Sequence, residues 1–350
     1  MRRAFAHEEV VVRRGSRSGL PLIVAVHSRE LGPAAGGCRL RRYDTWQDGL
    51  ADALRLSEAM TYKAAVAGLD FGGGKSVIAL DRDTELTADL REAALADLGE
   101  LIASLQGAYR AGPDIGTGPE DMAVLRRFSP HAYCAPEELG GVGSSGGPTA
   151  TGVLAALRAG AQHVFGSASC TGRTVVISGF GSVGSGIAAG LAAEGAHVVV
   201  SDVDQSRKDV ALARGYEWVE PDQALSAPAD ILVPAAIGGV LSESTVPRLT
   251  APLVVGPANN QLTEDSVADA LAERGIVWIP DYVASAGGVV YVLSREAEGY
   301  SHEAADKRVQ TIAETVTHIL DLASTTGATP FRTAQQIAEH RLAAARSRVA

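Results

Sequence analysis

The stretch Thr174-Val175-Val176-Ile177-Ser178-Gly179-Phe180-Gly181-Ser182-Val183-Gly184 reads as a strand that turns through GxGxxG into a helix. Small apolar residues continue from Ile187 to Ala193, and a second strand, His197 to Ser201, ends at Asp202, eighteen residues after Gly184. In a chain with 39 glycines the bare GxGxxG pattern is weak. A strand before it, a helix after it and an acid at the end of the next strand turn it into a dinucleotide fingerprint. Gly179 permits the tight turn, Gly181 lets backbone approach a pyrophosphate, and Gly184 lets helix and strand pack closely. Phe180, Ser182 and Val183 complete the loop and helix start, where unpaired N–H groups face phosphate. Asp202 can accept hydrogen bonds from a ribose 2′-hydroxyl, and its charge opposes a 2′-phosphate, so NAD is expected rather than NADP. Asp204 is the fallback acid and reads better as a surface residue.

Beyond this unit, strands Ile231–Val233, Leu253–Val255 and Val277–Ile279 alternate with helical segments such as Val267–Arg274. Alternation at this spacing predicts a parallel sheet covered by helices. Upstream, Leu22–His27 reads as a strand, and Asp44–Met60 as an amphipathic helix capped by Thr45 with Asp48 three residues on. A Gly-rich segment over 68–74 leads into a strand over Lys75–Leu80, and Leu90–Leu105 is a second helix. The loose run EELGGVGSSGGP, Glu137 to Pro148, marks the domain boundary. The expected fold class is α/β with two domains. A mixed-sheet first domain, to which the resemblance given below assigns substrate binding and oligomerisation, covers 1–136, completed by a C-terminal helix over 330–350. A doubly wound Rossmann domain covers 137–329.

The 350 residues allow about two domains, each with its own core. A formal charge of −10 without a long basic stripe removes the main electrostatic term for nucleic-acid binding. Cys38, Cys134 and Cys170 are odd in number and widely spaced, so neither a disulfide framework nor a metal clip is expected, and a reducing cytoplasm fits. None of the eight histidines has a partner at metal-ligand spacing, so no metal is expected. The N-terminal MRRAFAHEEVVVRR is too short in apolar residues for a signal peptide. The uncharged run Thr174–Ala193 is strand, turn and helix rather than a membrane span.

The segment from Met60 to Ser76, MTYKAAVAGLDFGGGKS, carries two lysines twelve residues apart in an apolar, Gly-rich setting. Its ending is not a phosphate loop, because position 69 is leucine where that motif needs glycine. Desolvation would lower the pKa of Lys75, with Lys63 adding like-charge repulsion, and a lysine partly neutral near pH 7 can act as a base. Asp114 lies in the tight loop AGPDIGT, where the bland reading is a turn former bonded to local N–H groups. GPANNQ, Gly256 to Gln261, follows a strand at the carboxyl edge of the sheet, where ligands bind in doubly wound folds.

With these residues in hand, the chain resembles the amino-acid dehydrogenases acting on leucine, valine and phenylalanine, relatives of glutamate dehydrogenase, over nearly its whole length. The matching segments, in the family's order, are LGPAAGGCR, DALRLSEAMTYKAAVAGLDFGGGKSVI, GPDIGTGPEDM, GPTATGV, GFGSVG, PAAIGGVL, ANNQL and PDYVASAGG. The resemblance implies reversible oxidative deamination with NAD. It assigns Lys63 to the substrate carboxylate, Lys75 to the catalytic base and Asp114 to proton exchange with the amino group. Gly36 and Gly37 would line the substrate site, Asn259 would help hold substrate and cofactor, and Thr149 would touch the nicotinamide carboxamide. Ala235 and Ala236, in PAAIGGVL, would lie along the cofactor. A homo-oligomer built through the first domain is implied as well.

Leucine-type members read PALGG where this chain has Pro33-Ala34-Ala35-Gly36-Gly37, and tend to carry alanine at the position of Gly112. Ala35 and Gly112 therefore resemble the phenylalanine type, while Val289 resembles the aliphatic type. The expected substrate is L-phenylalanine, with leucine, valine or another large amino acid as the alternative. Three positions depart from the family pattern: Cys38 replaces threonine, Pro257 replaces alanine, and Ser285 replaces the asparagine of NAGG. They leave open a non-enzyme alternative, an NAD-binding sensor on the same scaffold. Lys63, Lys75, Asp114 and Asn259 together argue against it.

Overall fold

A computed structural model of the chain describes residues 6–349; Met1–Phe5, the start of the N-terminal stretch read above, and Ala350 lie outside the described residues. The chain divides into two compact units, Met1–Ser144 with Arg295–Gly299 and Ala338–Ala350, and Ser145–Ser294 with Tyr300–Ile337. The division thus falls at 144/145 where 136/137 was expected, and the last helix changes unit at 338 rather than joining the first from 330. One cause is Glu296, which accepts the N–H groups of Cys134 and Val142 at 2.8 and 3.0 Å and so ties the Gly-rich stretch to the first unit.

The first unit is a mixed five-stranded sheet of β1 (Glu9–Arg14), β2 (Pro21–Ser28), β3 (Ala34–Arg42), β4 (Gly72–Leu80) and β5 (Tyr109–Pro113), in the order β1-β2-β4-β3-β5. β2 runs antiparallel to β1 and β4, while β3 runs parallel to β4 and β5. Its helices are α1 (Trp46–Val66), α2 (Ala88–Ser104) and α3 (Pro119–Arg126). Thr45 and Asp48 close a reciprocal capping box at the start of α1. α1 runs six residues past the expected end at Met60, because Thr61–Val66 hold no breaker and Gly68, at φ +71°, is the first residue to turn the chain. The strand expected to start at Lys75 starts at Gly72, so the last three glycines of the Gly-rich segment are the first three residues of β4. Here α1 lies directly on the sheet: a Cβ at position 73 would stand 2.1 Å from the backbone N of Thr61. Ile23, Ala25, Ala53, Val77 and Ala79 form the core between α1 and the sheet.

The second unit is an all-parallel sheet of β6 (Thr174–Ser178), β7 (His197–Ser201), β8 (Glu217–Trp218), β9 (Ile231–Pro234), β10 (Leu253–Val254) and β11 (Val277–Trp278). The order β11-β10-β9-β6-β7-β8 is the doubly wound order, with its reversal between β6 and β9. Helices α4 (Gly146–Phe165), α5 (Ser182–Ala193), α6 (Ser206–Ala213), α7 (Ser266–Glu273), α8 (Asp281–Ala284), α9 (Gly287–Val292), α10 (His302–Gln310) and α11 (Ile312–Thr326) follow in chain order, with α12 (Pro330–Val349) belonging to this unit as far as Ile337. Val176, Leu232, Val254, Leu271, Trp278 and Phe331 are buried in its core. Among the described residues, no helix is long and apolar enough to cross a membrane.

Candidate active site

Lys75 sits in β4 with its side chain only 6% exposed, and its Nζ lies 2.8 Å from Oδ2 of Asp114. Asp114 follows β5 directly, and its carboxylate is not spent on local N–H groups, as the turn-former reading had it. The same Oδ2 accepts from Nε of Arg39 at 2.7 Å. The loop is locked from elsewhere: the N–H of Asp114 donates to Thr117 Oγ1 at 3.0 Å, and that hydroxyl donates to the Cys38 carbonyl at 2.7 Å.

Burial lowers the pKa of Lys75 from its ordinary value; Asp114 opposes this, and Arg39 adds to it. For Asp114, burial favours the neutral acid, but the charges of Lys75 and Arg39 outweigh it and hold the carboxyl at about 2. Arg39 is thus a like charge facing Lys75 that the sequence did not single out. Arg39 lies within a strand, where an arginine reads as solvent-facing. What buries it is a pair of carboxylates from distant elements, which no local pattern announces.

Lys63 is buried in the last turn of α1. On β3, Gly37 pairs with Gly112 of β5, and Ala35, 4% exposed, lies two residues before it on the same face. Nothing stands within 4 Å of where a Cβ on Gly112 would be, whereas one on Gly36 would meet the carbonyl of Gly74. Burial pushes the thiol of Cys38 up to about 12, which suits a packed side chain and not a nucleophile.

In the second unit the fingerprint has the geometry a dinucleotide needs. Gly179 adopts φ +116°, and a Cβ there would lie 2.6 Å from the backbone of Ala235 and Ala236; one at Gly184 would lie 2.0 Å from the Gly179 carbonyl. A Cβ at Gly181 would meet only the Nη1 of Arg207, at 3.2 Å, so this residue leaves backbone open to a ligand. Gly181 caps α5 without a side chain, and Ser182 and Val183 supply its first turn. Phe180 contributes backbone only: its ring is buried edge-on to Tyr216, and its N–H donates to Asp202 Oδ2 at 2.8 Å. Asp202 follows β7, with Arg207 Nη1 3.1 Å away.

Thr149, in the first turn of α4, donates its hydroxyl to the Ser145 carbonyl at 2.9 Å. Asn259 is exposed on the loop after β10, while Ser285 is buried just beyond α8 and Val289 is half-buried in α9. Gln261, quoted but not singled out from sequence, pins the Asn259 loop. Its side chain donates to Gly256 and accepts from Trp278 at 2.8 and 2.9 Å, and its N–H donates to Asp281. Among the described residues no cluster of His, Cys, Asp or Glu is arranged to hold a metal.

A doubly wound sheet with a dinucleotide fingerprint and a buried lysine–aspartate pair in the same chain are the parts that a nucleotide-dependent oxidoreductase uses. Comparison with known proteins narrows the class. Residues 2–129 match the Glu/Leu/Phe/Val dehydrogenase dimerisation domain, and 200–349 match the glutamate/leucine/phenylalanine/valine dehydrogenase domain. Residues 153–237 also match the NAD-binding domain of D-isomer specific 2-hydroxyacid dehydrogenases. The valine dehydrogenase of Streptomyces coelicolor is 42% identical over 98% of this chain and 94% of its own. The phenylalanine dehydrogenase of Caldalkalibacillus thermarum is 38% identical over 96% and 91%. The crystal structure of L-tryptophan dehydrogenase from Nostoc punctiforme superposes with a TM-score of 0.80 at 31% identity, covering 97% of both chains. The chain belongs to the Glu/Leu/Phe/Val dehydrogenase family. It is an amino-acid dehydrogenase, carrying out NAD(P)-dependent oxidative deamination of an L-amino acid.

Proposed function

We propose that the chain oxidises L-phenylalanine, or an L-amino acid of comparable size, with NAD in preference to NADP. The observation that carries the chemistry is the buried amine of Lys75 held 2.8 Å from the Asp114 carboxylate. Lys63 pairs with the substrate carboxylate, and Gly36 and Gly37 line the floor on which the amino acid lies. Asp114 accepts a proton from the α-ammonium, which must become an amine before the α-carbon can lose hydride. When bound, NAD supplies the hydride acceptor. Water then adds to the substrate iminium while neutral Lys75 takes its proton. The resulting ammonium stabilises oxygen charge as the carbinolamine collapses to 2-oxo acid and ammonia. Asp114 is a weak base while two cations face it and a stronger one once Lys75 is neutral, so the pair acts as a unit.

For the cofactor, the Gly179–Gly184 loop would carry the pyrophosphate and Asp202 the ribose hydroxyls. Ala235, Ala236, Thr149 and Asn259, all of the second unit, would border the nicotinamide half. The match of residues 2–129 to a dimerisation domain supports a homo-oligomer.

Ala35 and the open space at Gly112 support the large side chain. The second reading, valine or leucine dehydrogenase, is favoured by Val289 and by the 42% identity to a valine dehydrogenase. Comparing kcat/KM for phenylalanine, tryptophan, leucine and valine decides between them. For the chemistry, Lys75→Ala is expected to lower kcat by about 10³-fold with NAD still bound; unchanged turnover would defeat the assignment. A wild-type chain that binds NAD yet stays silent with every amino acid would return the sensor reading.

A further inference from the structure

We propose that Arg39 is a positioning residue for the lysine base: it fixes the carboxylate of Asp114 and keeps a permanent cation beside Lys75, with Asp52 and Tyr43 as its own anchor. The inference rests on the reading of Lys75 as the base.

Arg39 reaches two carboxylates from different elements at once. Its Nε donates to Asp114 Oδ2 and its Nη1 to Asp52 Oδ2, both at 2.7 Å, with the arginine side chain 6% exposed. Asp52, on α1, is held in turn by the Tyr43 hydroxyl and by Arg55 Nη2, each at 2.8 Å. A lysine at position 39, with one nitrogen, could not span both acids. An ion pair serving stability alone would stop at Asp52. The second arm instead puts two cations on one oxygen of Asp114.

The consequence is for Lys75. With Asp114 as its only neighbour, the amine would be held as ammonium; Arg39 shares that carboxylate and repels the ammonium. The other groups around it are neutral, paired elsewhere or assigned to the substrate. On β3 the Cys38 thiol is neutral, and on β5 burial likewise keeps the Tyr109 phenol neutral, donating to Ser76 and Gly36. On α3, Asp121 is engaged by Arg91. On α1 stand Lys63, assigned to substrate, and Asp52, already matched to Arg39 and Arg55.

The test is the pH midpoint of Lys75 in the full chain, from trace acetylation with acetic anhydride read by peptide mass spectrometry, which needs no turnover. In Arg39→Met the midpoint is expected to rise by about one to three pH units, since a repelling charge is gone and Asp114 is left wholly to the amine. Arg39→Lys restores the charge and should bring most of the midpoint back. Because Arg39→Met strands Asp52 as a buried carboxylate, the double variant Arg39→Met/Asp52→Asn is measured beside it, with the same rise expected. In steady-state assays kcat falls in Arg39→Met while KM for the amino acid, set by Lys63, stays within about twofold. A midpoint that stays put in both Met variants overturns the role of Arg39 and leaves Lys75 as the base. Full activity in Lys75→Ala would take down both.

Discussion

A side-chain carbon on Gly37 would lie 3.0 Å from the Nζ of Lys75. It would also stand 2.7 Å from Cβ of Asp114 and 3.1 Å from the Pro113 carbonyl, so the clash cannot be relieved by the flexible amine alone. Glycine at 37 is therefore a condition for the lysine–aspartate pair as much as for the strand. Gly37→Ala is expected to lower kcat by roughly 10²-fold, the cost of displacing a reacting group by about 1 Å. NAD affinity, a property of the second unit, should stay put. Steady-state kinetics with a fluorescence titration of NADH checks both, and an alanine variant with normal kcat would show that the pair tolerates displacement.

The proposed preference for NAD rests on a second close pair, Asp202 and Arg207, 3.1 Å apart. The carboxylate suits a 2′-hydroxyl, and the guanidinium behind it would suit a 2′-phosphate once the acid is gone. Asp202→Ser should therefore raise the ratio of kcat/KM for NADP to that for NAD by roughly ten- to a hundredfold, the worth of a hydrogen bond to a charged group. Adding Arg207→Ala should cancel the gain in NADP. Comparable ratios in all three proteins would remove Asp202 from cofactor selection.

These pairs differ in how far the sequence reveals them. The fingerprint is legible because strand, turn, helix and second strand lie within 30 consecutive residues, and the structure has them at Thr174–Ser178, Ser182–Ala193 and His197–Ser201. Lys75 and Asp114 could be named from motifs and resemblance, and the chain does bring them together. Arg39 could not, since its partners are 13 and 75 residues away and its own strand gives no sign that it is buried. The start of β4 misled for a related reason: local propensity leaves its glycines out of the strand, and the close approach of α1 takes them in.

Stability should depend on a buried acid away from the site. Asp97, on α2 with its side chain 2% exposed, accepts from Ser16 Oγ, from the N–H groups of Arg17 and Ser18, from Ser18 Oγ and from the Arg17 guanidinium. Burial works against its charge, but the Ser18 and Arg17 donors outweigh that and hold the carboxyl below the ordinary range. A carboxyl depressed by folding stabilises the native state above its unfolded-chain pKa, and the contribution is lost as pH falls through the native one. Asp97→Asn is expected to cost about 2–3 kcal/mol at neutral pH. The difference from wild type should shrink as pH drops below the carboxylate range. Urea unfolding at both pH values tests this, and coincident curves at neutral pH would exclude it.

Substrate size should be adjustable at Ala35. Its methyl lies on the face of β3 that Gly37 presents to Lys75 and Asp114, two residues along the same strand. Leucine at this position adds three heavy atoms where the proposed pocket takes the substrate side chain, beside the open space over Gly112 on the next strand. A few methylene groups are worth about 1–3 kcal/mol in discrimination. Ala35→Leu should therefore lower kcat/KM for phenylalanine relative to valine by roughly ten- to a hundredfold. The loss should fall on large substrates alone, because the proposed roles of Lys63, Lys75 and Asp114 concern the carboxylate and amino groups that every amino acid shares. Parallel kcat/KM measurements with the two substrates read the ratio directly. A uniform loss on both would mean that the added side chain disturbs the lysine–aspartate pair and that position 35 does not measure substrate size.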